Sequence, residues 1–374
     1  MKKTVSLGIV GSSWWVDAMY LPALAACPEA EVTALSARNE GRARALADSW
    51  GIPRVYTDVA AMLAEEKDLQ ALLIITPNHT HYEYARMAME RGLAVLVEKP
   101  LTVDYDSARR LAEMAEARGV ITMVPFTYRF MPTSRYLKRL IADGYLGRPY
   151  HLNLRYYANY AREGQYLWRF DGSLAGSGVL GDLGSHFLHL AEWFYGPIAE
   201  LQAMAAQHVP RASHNEAGKP YPPVEDDAII NCRFANGALG VIQVSAVCYE
   251  DAGMKMQHLF EFHGEDGTLY QEVDWVEQQE IRGARVGEGG LKPLPIPEEI
   301  WAGARQDTVH NSYRDVFRAQ GHMVGDFVRA VRDQRRIRPD IHDGLRIQLL
   351  LEAAILSARE GRLVRLSEME VPLV

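Results

Sequence analysis

The chain has 374 residues, 48% apolar and 24% charged, with a formal net charge of -8. That length suits two domains of ordinary size, and the composition is that of a soluble globular protein rather than a disordered or fibrous one. The acidic balance argues against a general nucleic-acid binder, which needs a basic footprint to gain from the phosphate backbone. Cys27, Cys232 and Cys248 lie far apart with no CxxC spacing, which points to buried thiols in a reducing compartment rather than a disulfide frame or a thiolate metal site. No apolar run approaches membrane-spanning length, and Met1 to Val10 reads as a first strand rather than a secretion signal. The expectation is a cytoplasmic protein with no membrane partner.

Val5–Val10 reads as a buried strand and Gly11-Ser12-Ser13 as the turn after it. The stretch from Val16 to Ala26 predicts a helix bent or ended at Pro22. Val32–Leu35 is the next strand, Glu40–Trp50 a helix closed by Gly51, and Asp58 caps a short helix through Leu63. Leu72–Ile75 and Val95–Val97 are apolar strands that run into Thr76-Pro77-Asn78 and Glu98-Lys99-Pro100. The helix between them shows capping-box spacing at Thr80 and Glu83, an apolar stripe at Ala85, Ala88 and Met89, and a stop at Gly92. Tyr105–Arg118 is a helix and Val120–Val124 a strand. This alternation predicts an α/β domain over residues 1–125 with a doubly wound parallel sheet, whose carboxyl strand ends line a ligand crevice.

From residue 126 to 374 the texture changes. Arg135–Ile141 and Gly184–Phe194 read as helices and Pro149–Tyr160 as an aromatic strand. Ala228–Phe234, Leu239–Val247, Leu259–His263 and Thr268–Val273 alternate like strands of an antiparallel sheet, with Asn236-Gly237 as a turn. Arg282–Pro297 reads as a loop, and helices over Tyr313–Gln334 and Leu345–Arg359 finish the chain.

A dinucleotide fingerprint, GxGxxG, would fall on Gly11, Ser13 and Val16, and only the first is glycine. Phosphate-binding turn and ordinary strand-to-helix loop both remain open there, and Trp14 and Trp15 are bulky for a loop covering a cofactor. The place after the second strand, where NAD enzymes usually carry an acid, holds Ser36-Ala37-Arg38-Asn39. Arg38 is free to meet a ribose phosphate, a lean toward NADP, or is simply a solvent-facing arginine. Asp182-Leu183-Gly184-Ser185-His186 follows a glycine-dense run, and at a spacing of four on a helix Asp182 and His186 share a face. His186 and His189 have ligand-like spacing but no HExxH signature accompanies them, so no metal is expected. His79 and His81 read as a turn and a helix start at the crevice edge. Lys99, directly beyond a buried strand, can hydrogen-bond a substrate oxygen, the alternative being a surface pair with Glu98.

Taken together these residues resemble the glucose-fructose oxidoreductase / inositol dehydrogenase / MocA-like family (Gfo/Idh/MocA). The resemblance runs through Gly8-Ile9-Val10-Gly11, Thr76-Pro77-Asn78-His79-Thr80-His81, Glu98-Lys99-Pro100, Tyr128-Arg129-Phe130, Gly181 to His186, Gly264 to Leu269 and Asp343-Gly344. It implies an N-terminal Rossmann domain binding NAD or NADP. It also implies a C-terminal α+β domain, residues 126–374, with a large, mostly antiparallel open sheet that binds substrate and mediates homodimers or homotetramers, its terminal helices packing near the interdomain region. Members transfer hydride between nicotinamide and a sugar, cyclitol or related hydroxy compound.

Carried onto this sequence, Lys99, Asp182 and His186 match the catalytic set. Gly11, Ser12, Ser13, Trp14, Arg38, Thr76, Pro77, Asn78, His81, Glu98 and Lys99 are the cofactor-binding candidates. Tyr128, Arg129, Tyr157, Trp168, Arg169 and His189 join the catalytic set as substrate-binding candidates, with Tyr156, Tyr160 and Phe170 in the same aromatic stretch. Pro100 is expected to be cis. The chain departs from the family in the two lost glycines, in His189 where the family often has aspartate, and in Ala37 where a ribose-binding acid is common. The mechanism this implies has His186 as general acid and base, Asp182 orienting it, and Lys99 stabilising charge on the reacting oxygen. Two other readings are a nicotinamide-assisted glycoside-cleaving enzyme and a non-catalytic sensor or assembly protein retaining the fold.

Overall fold

The computed structural model describes residues 4–248, 256–276, 279–319 and 321–369. Contacts divide the chain into two units. The first holds the described residues up to Phe126 together with Val316–Gln348, and the second holds Thr127–Asp315 and the described residues 349–369. Residues 316–348 thus cluster with the first unit, not with the rest of the chain after residue 125. The cause is an apolar face: the helix Met323–Asp333 buries Val324, Phe327, Val328 and Val331, and Arg332 pairs with Glu29.

Among the described residues, the first unit contains one six-stranded sheet built from β1 (Val5–Val10), β2 (Ala30–Ser36), β3 (Arg54–Tyr56), β4 (Ala71–Ile74), β5 (Ala94–Val97) and β6 (Thr122–Met123). All its pairings are parallel and the order is β3-β2-β1-β4-β5-β6. β1, β4 and β5 are buried along their whole length, as continuous apolar runs in a sheet covered on both faces must be. The order reverses between β1 and β4, and in such sheets ligands bind at the carboxyl ends flanking that reversal.

The helices begin where the sequence places their caps. Asn39 accepts from the Arg42 amide at the start of Glu40–Trp50, which Gly51 closes in the left-handed region. Asp58 caps Val59–Glu65 and Asp104 caps Tyr105–Arg118 in the same way. The capping box at Thr80 does not form. A 3-10 turn over Asn78–Thr80 precedes the helix His81–Glu90, so the Thr80 hydroxyl goes to Thr76 Oγ1 and the Pro77 carbonyl, while Glu83 pairs with Arg86.

The second unit carries a nine-stranded sheet among the described residues: β7 (Pro149–Ala158), β8 (Ile198–Ala206), β9 (Asp227–Phe234), β10 (Leu239–Ser245), β11 (Met256–Gly264), β12 (Gly267–Asp274), β13 (Gln279–Arg285), β14 (Lys292–Pro293) and β15 (Val364–Arg365). Its order is β14-β13-β12-β11-β7-β10-β9-β8-β15, antiparallel except where β10 runs parallel to β7. Part of the expected loop over Arg282–Pro297 is strand, because the hairpin of β13 and β14 continues the ladder. The helix Ser185–Tyr195 lies on one face, where Phe187 and Phe194 pack edge-on against Phe260 and Phe262. The expected single helix over Tyr313–Gln334 is two, Val309–Arg318 and Met323–Asp333, and residue 320 lies outside the described residues. No described helix is long and apolar enough to cross a membrane.

At Gly11 this fold tolerates no side chain. Its φ is +125°, and a Cβ there would stand 2.2 Å from the Ile75 carbonyl oxygen at the end of β4. Gly11→Ala is expected to cost more than about 2 kcal/mol of unfolding free energy, through clash and backbone strain together. Urea unfolding of the variant measures it, and a loss within about 0.5 kcal/mol would contradict the close approach.

Candidate active site

The first group of site residues gathers at the carboxyl ends of β1, β4 and β5. Ile75 donates its amide to the Val10 carbonyl and Glu98 donates to that of Ile74, so the three strand ends stay in register beyond the sheet itself. Ser13, at the second fingerprint position, acts as a helix cap. Its hydroxyl accepts from the Val16 amide at 3.5 Å and its carbonyl accepts from Asp17 at 3.2 Å. That explains the departure from glycine, since serine satisfies an amide that a helix start leaves open. Ser12 is half-buried, Trp14 is 59% exposed, and Arg38 is exposed between β2 and the Asn39 cap.

The helix that follows the turn begins at Trp14 and passes at once into a π-helix, Val16–Tyr20, with the Leu21 amide bonding the Val16 carbonyl. A turn closed between i and i+5 carries residues five apart to one side. Trp15 Nε1 and the Tyr20 hydroxyl accordingly both donate to Glu98 Oε1, at 2.8 and 2.6 Å. Glu98 Oε2 accepts from the Lys99 amide at 3.2 Å. Phe317 closes the back of this cluster, its ring edge-on to Trp15 at 5.6 Å and to Tyr20 at 5.1 Å. Neither Trp15 nor Tyr20 was a sequence candidate. Their signal, an indole and a phenol at a spacing of five, belongs to no regular helix period.

Lys99 is half-buried and its bond to Pro100 is cis. His81 is fully buried, with Nδ1 3.0 Å from the Pro100 carbonyl oxygen and Nε2 2.9 Å from that of Thr76. Both ring nitrogens therefore face backbone carbonyls, one in the turn after β4 and one in the turn after β5, and a neutral ring donates to one of the two; no nitrogen is left to address a cofactor. Burial pushes its pKa down to about 4 despite the two carbonyls, which favour the charged ring. Thr76 and Pro77 are half-buried and Asn78 buried in the same turn.

The second group lies in the second unit, around another π-helix, Leu180–Gly184, in which the Ser185 amide bonds the Leu180 carbonyl. The spacing of four from Asp182 to His186 therefore crosses from a π turn into an α-helix and is not one regular helical face. Asp182 Oδ2 accepts from the Tyr160 hydroxyl at 2.7 Å and lies 3.3 Å from Arg169 Nε. Arg169 in turn stacks over the Trp168 ring at 4.7 Å.

His186 is buried and packs its ring 4.3 Å from that of Tyr128, whose hydroxyl shares a 2.8 Å hydrogen bond with Tyr156. His258 and Trp275 extend this cluster, with Trp275 Nε1 donating to His258 Nε2 at 3.2 Å. Burial holds the hydroxyls of Tyr128, Tyr156 and Tyr160 well above the usual phenol range and pushes His258 down to about 3. All four are neutral near pH 7.

His189 is likewise kept neutral, by burial first and then by the Arg129 charge. A guanidinium only donates, so His189 Nε2 is the acceptor of the 3.4 Å contact from Arg129 Nη1. Tyr157 does not join this group. Side chains alternate along β7, and Tyr157 stands on the opposite face from Tyr156, its hydroxyl donating to Gln243 at 3.1 Å. His258 and Trp275 escaped the sequence reading because an inward-facing residue in a strand or just past its end has no local mark of function.

A parallel sheet in this order, with glycine at its reversal and a second, mostly antiparallel sheet downstream, defines a protein with a Rossmann-type dinucleotide-binding domain. Residues 5–126 match the family profile described as "Oxidoreductase family, NAD-binding Rossmann fold", and residues 134–270 match the GFO/IDH/MocA C-terminal domain. The chain belongs to the Gfo/Idh/MocA family of NAD(P)-dependent oxidoreductases. It is 26% identical over 320 residues to levoglucosan dehydrogenase of Pseudarthrobacter phenanthrenivorans, covering 79% of this chain and 80% of that one. It is 29% identical over 344 residues to D-apiose dehydrogenase of Paraburkholderia graminis, covering 91% and 84%. Among solved structures, levoglucosan dehydrogenase in complex with NADH and L-sorbose superposes with a TM-score of 0.85 at 23% identity over 97% of this chain and 99% of that one, which is a likeness of fold.

His81 gives a pH test of the first group. Its folded pKa, about 4, is below the ordinary 6.5, so its share of stability is complete above pH 6.5 and is lost as pH falls toward 4. That share is about 3 kcal/mol. Unfolding free energies between pH 4 and pH 7 are expected to slope less steeply for His81→Asn than for the wild type, and equal slopes would remove His81 from this account.

Proposed function

We propose that the protein is a dehydrogenase or reductase acting on a sugar, cyclitol or related hydroxy compound with NAD or NADP. The observation that carries this is the reversal in strand order with Gly11 pressed against the Ile75 carbonyl, beside a turn that presents Lys99. Only an absent side chain allows so close an approach of strand ends, and it leaves room for a pyrophosphate at the following helix start. Gly11, Ser12, Ser13 and Trp14 from the first turn, with Thr76, Pro77, Asn78, Glu98 and Lys99 from the next two, would hold the cofactor. His81 supports them from behind. The bound nicotinamide supplies the hydride acceptor or donor.

His186 takes the proton from the substrate hydroxyl in oxidation and returns one in reduction. Lys99 binds the reacting oxygen and stabilises negative charge on it. Asp182 is an anionic anchor whose orientation Tyr160 and Arg169 set. Tyr128, Trp168 and Arg169 offer ring and guanidinium surfaces to a sugar, and His189 offers a neutral imidazole. The relatives named for levoglucosan and D-apiose support a sugar-like substrate. Arg38, exposed just past the end of β2 with Ala37 in the place of a ribose-binding acid, supports NADP. The open face of the nine-stranded sheet suits a homodimer or homotetramer contact, and the free cysteines suit a cytoplasmic setting.

A panel of sugars and polyols, read at the absorbance of reduced nicotinamide, tests the activity. Lys99→Ala and His186→Ala are each expected to lower kcat by about 100-fold or more, with coenzyme affinity little changed in His186→Ala. Normal turnover by either variant removes that residue from the mechanism. Arg38→Ala is expected to lower the preference for NADP over NAD by roughly 10-fold or more, the worth of a charge-assisted hydrogen bond. An unchanged preference refutes the phosphate contact.

A further inference from the structure

The π turn that carries Asp182 begins with three amides that no helical carbonyl can reach. One residue from a distant loop takes all three. Glu225 Oε1 accepts from Gly178 N–H at 2.7 Å and from Leu180 N–H at 3.1 Å. Between them, Val179 N–H bonds the backbone carbonyl of Glu225 at 3.0 Å. The contact is so close that a Cβ on Gly178 would stand 2.0 Å from that same carbonyl oxygen. The turn then continues, with Asp182 N–H bonding the Gly178 carbonyl at 3.0 Å.

Glu225 is itself rigidly mounted. The next residue, Asp226, is fully buried and pairs with the equally buried Arg211, while its carboxylate also accepts the amides of His208 and Val209. Arg211 reaches on to the Ala161 carbonyl and stacks over Phe170 at 4.2 Å. Asp226 is further bonded through its backbone to Ala206 and Ala246, so β8 and β10 both fix its place. Withdrawal from water and the neighbouring Asp226 charge push the Glu225 carboxyl up to about 7, against the pull of the amides it accepts.

We propose that Glu225 is a positioning residue for the oxidoreductase reaction: by holding the amides of Gly178, Val179 and Leu180 it sets where Asp182 stands beside Tyr160 and Arg169. This rests on the role proposed above for Asp182. It gives a reason for the glycine-dense run before Asp182, because a side chain at 178 would drive Glu225 away.

Glu225→Gln and Glu225→Asp separate the bond geometry from the charge. Glutamine keeps an oxygen at the same reach and loses the charge; aspartate keeps the charge and is one methylene too short for both amides. Glu225→Gln is expected to keep kcat within about 3-fold of wild type, and Glu225→Asp to lower it by roughly 10- to 100-fold, as a displacement of about an ångström does. Calorimetric affinities for NAD and NADP are expected to stay within about 2-fold in both variants, since the affected turn lies in the other unit from the dinucleotide sheet. Amide exchange, read without substrate, is expected to be faster at residues 178–182 in Glu225→Asp alone. Equal turnover in wild type and Glu225→Asp, or lower turnover in Glu225→Gln than in Glu225→Asp, overturns the proposal. If the wild type turns over no sugar or polyol, the oxidoreductase reading fails by itself, and unchanged exchange in Glu225→Asp still overturns the positioning role.

Discussion

A helical turn closed between i and i+5 is rare, and near a helix start it adjoins amides that have no intrahelical partners. This chain uses such a turn at each of its two groups of site residues, over Val16–Tyr20 and Leu180–Gly184. In both places a carboxylate from elsewhere in the same unit stabilises it. Glu98 receives the side chains of Trp15 and Tyr20 in the first unit, and Glu225 receives backbone amides in the second. The two anchors work at different levels. Glu98 is itself a candidate site residue and accepts the Lys99 amide directly, whereas Glu225 bonds only the backbone before Asp182.

Burial sets most of the protonation states around these turns. Tyr128, Tyr156 and Tyr160 are held as neutral phenols, and His81, His189 and His258 as neutral imidazoles, with desolvation the first cause in every case. A neutral imidazole has one donor and one acceptor nitrogen, which is why its contacts report its tautomer. Trp275 and Arg129 can only donate, so they fix Nε2 of His258 and of His189 as acceptors. In the second unit's interior Arg211 is paired with Asp226. Such a pair is weak evidence for net stability, but removing one partner would leave an uncompensated charge behind, so it holds the loop before β9 in a single arrangement.

Local sequence was enough for much of the first unit. Helices Glu40–Trp50 and Tyr105–Arg118 run between the residues their caps and glycines mark, because capping and left-handed closure are decided within a few residues. Strands buried on both faces announce themselves by continuous apolar runs. The same local signals misled at Thr80, where a 3-10 turn took the hydroxyl elsewhere, and at Arg282–Pro297, where glycine and proline marked a hairpin's tip and the strands beside it were missed.

The sequence by itself determined the alternation of the first domain, the glycine at its first turn, and the family motifs at Lys99, Asp182 and His186, because each is written in neighbouring residues. Only the tertiary structure decided that Trp15 and Tyr20 meet Glu98, 83 and 78 residues away, and that Glu225 holds a turn 45 residues before it. It alone decided which face of β7 carries Tyr156 and which Tyr157, and that residues 316–348 return to the first unit. A hydrogen bond between distant positions depends on how strands are ordered and how far each is shifted against its neighbour. No short window of sequence carries that information.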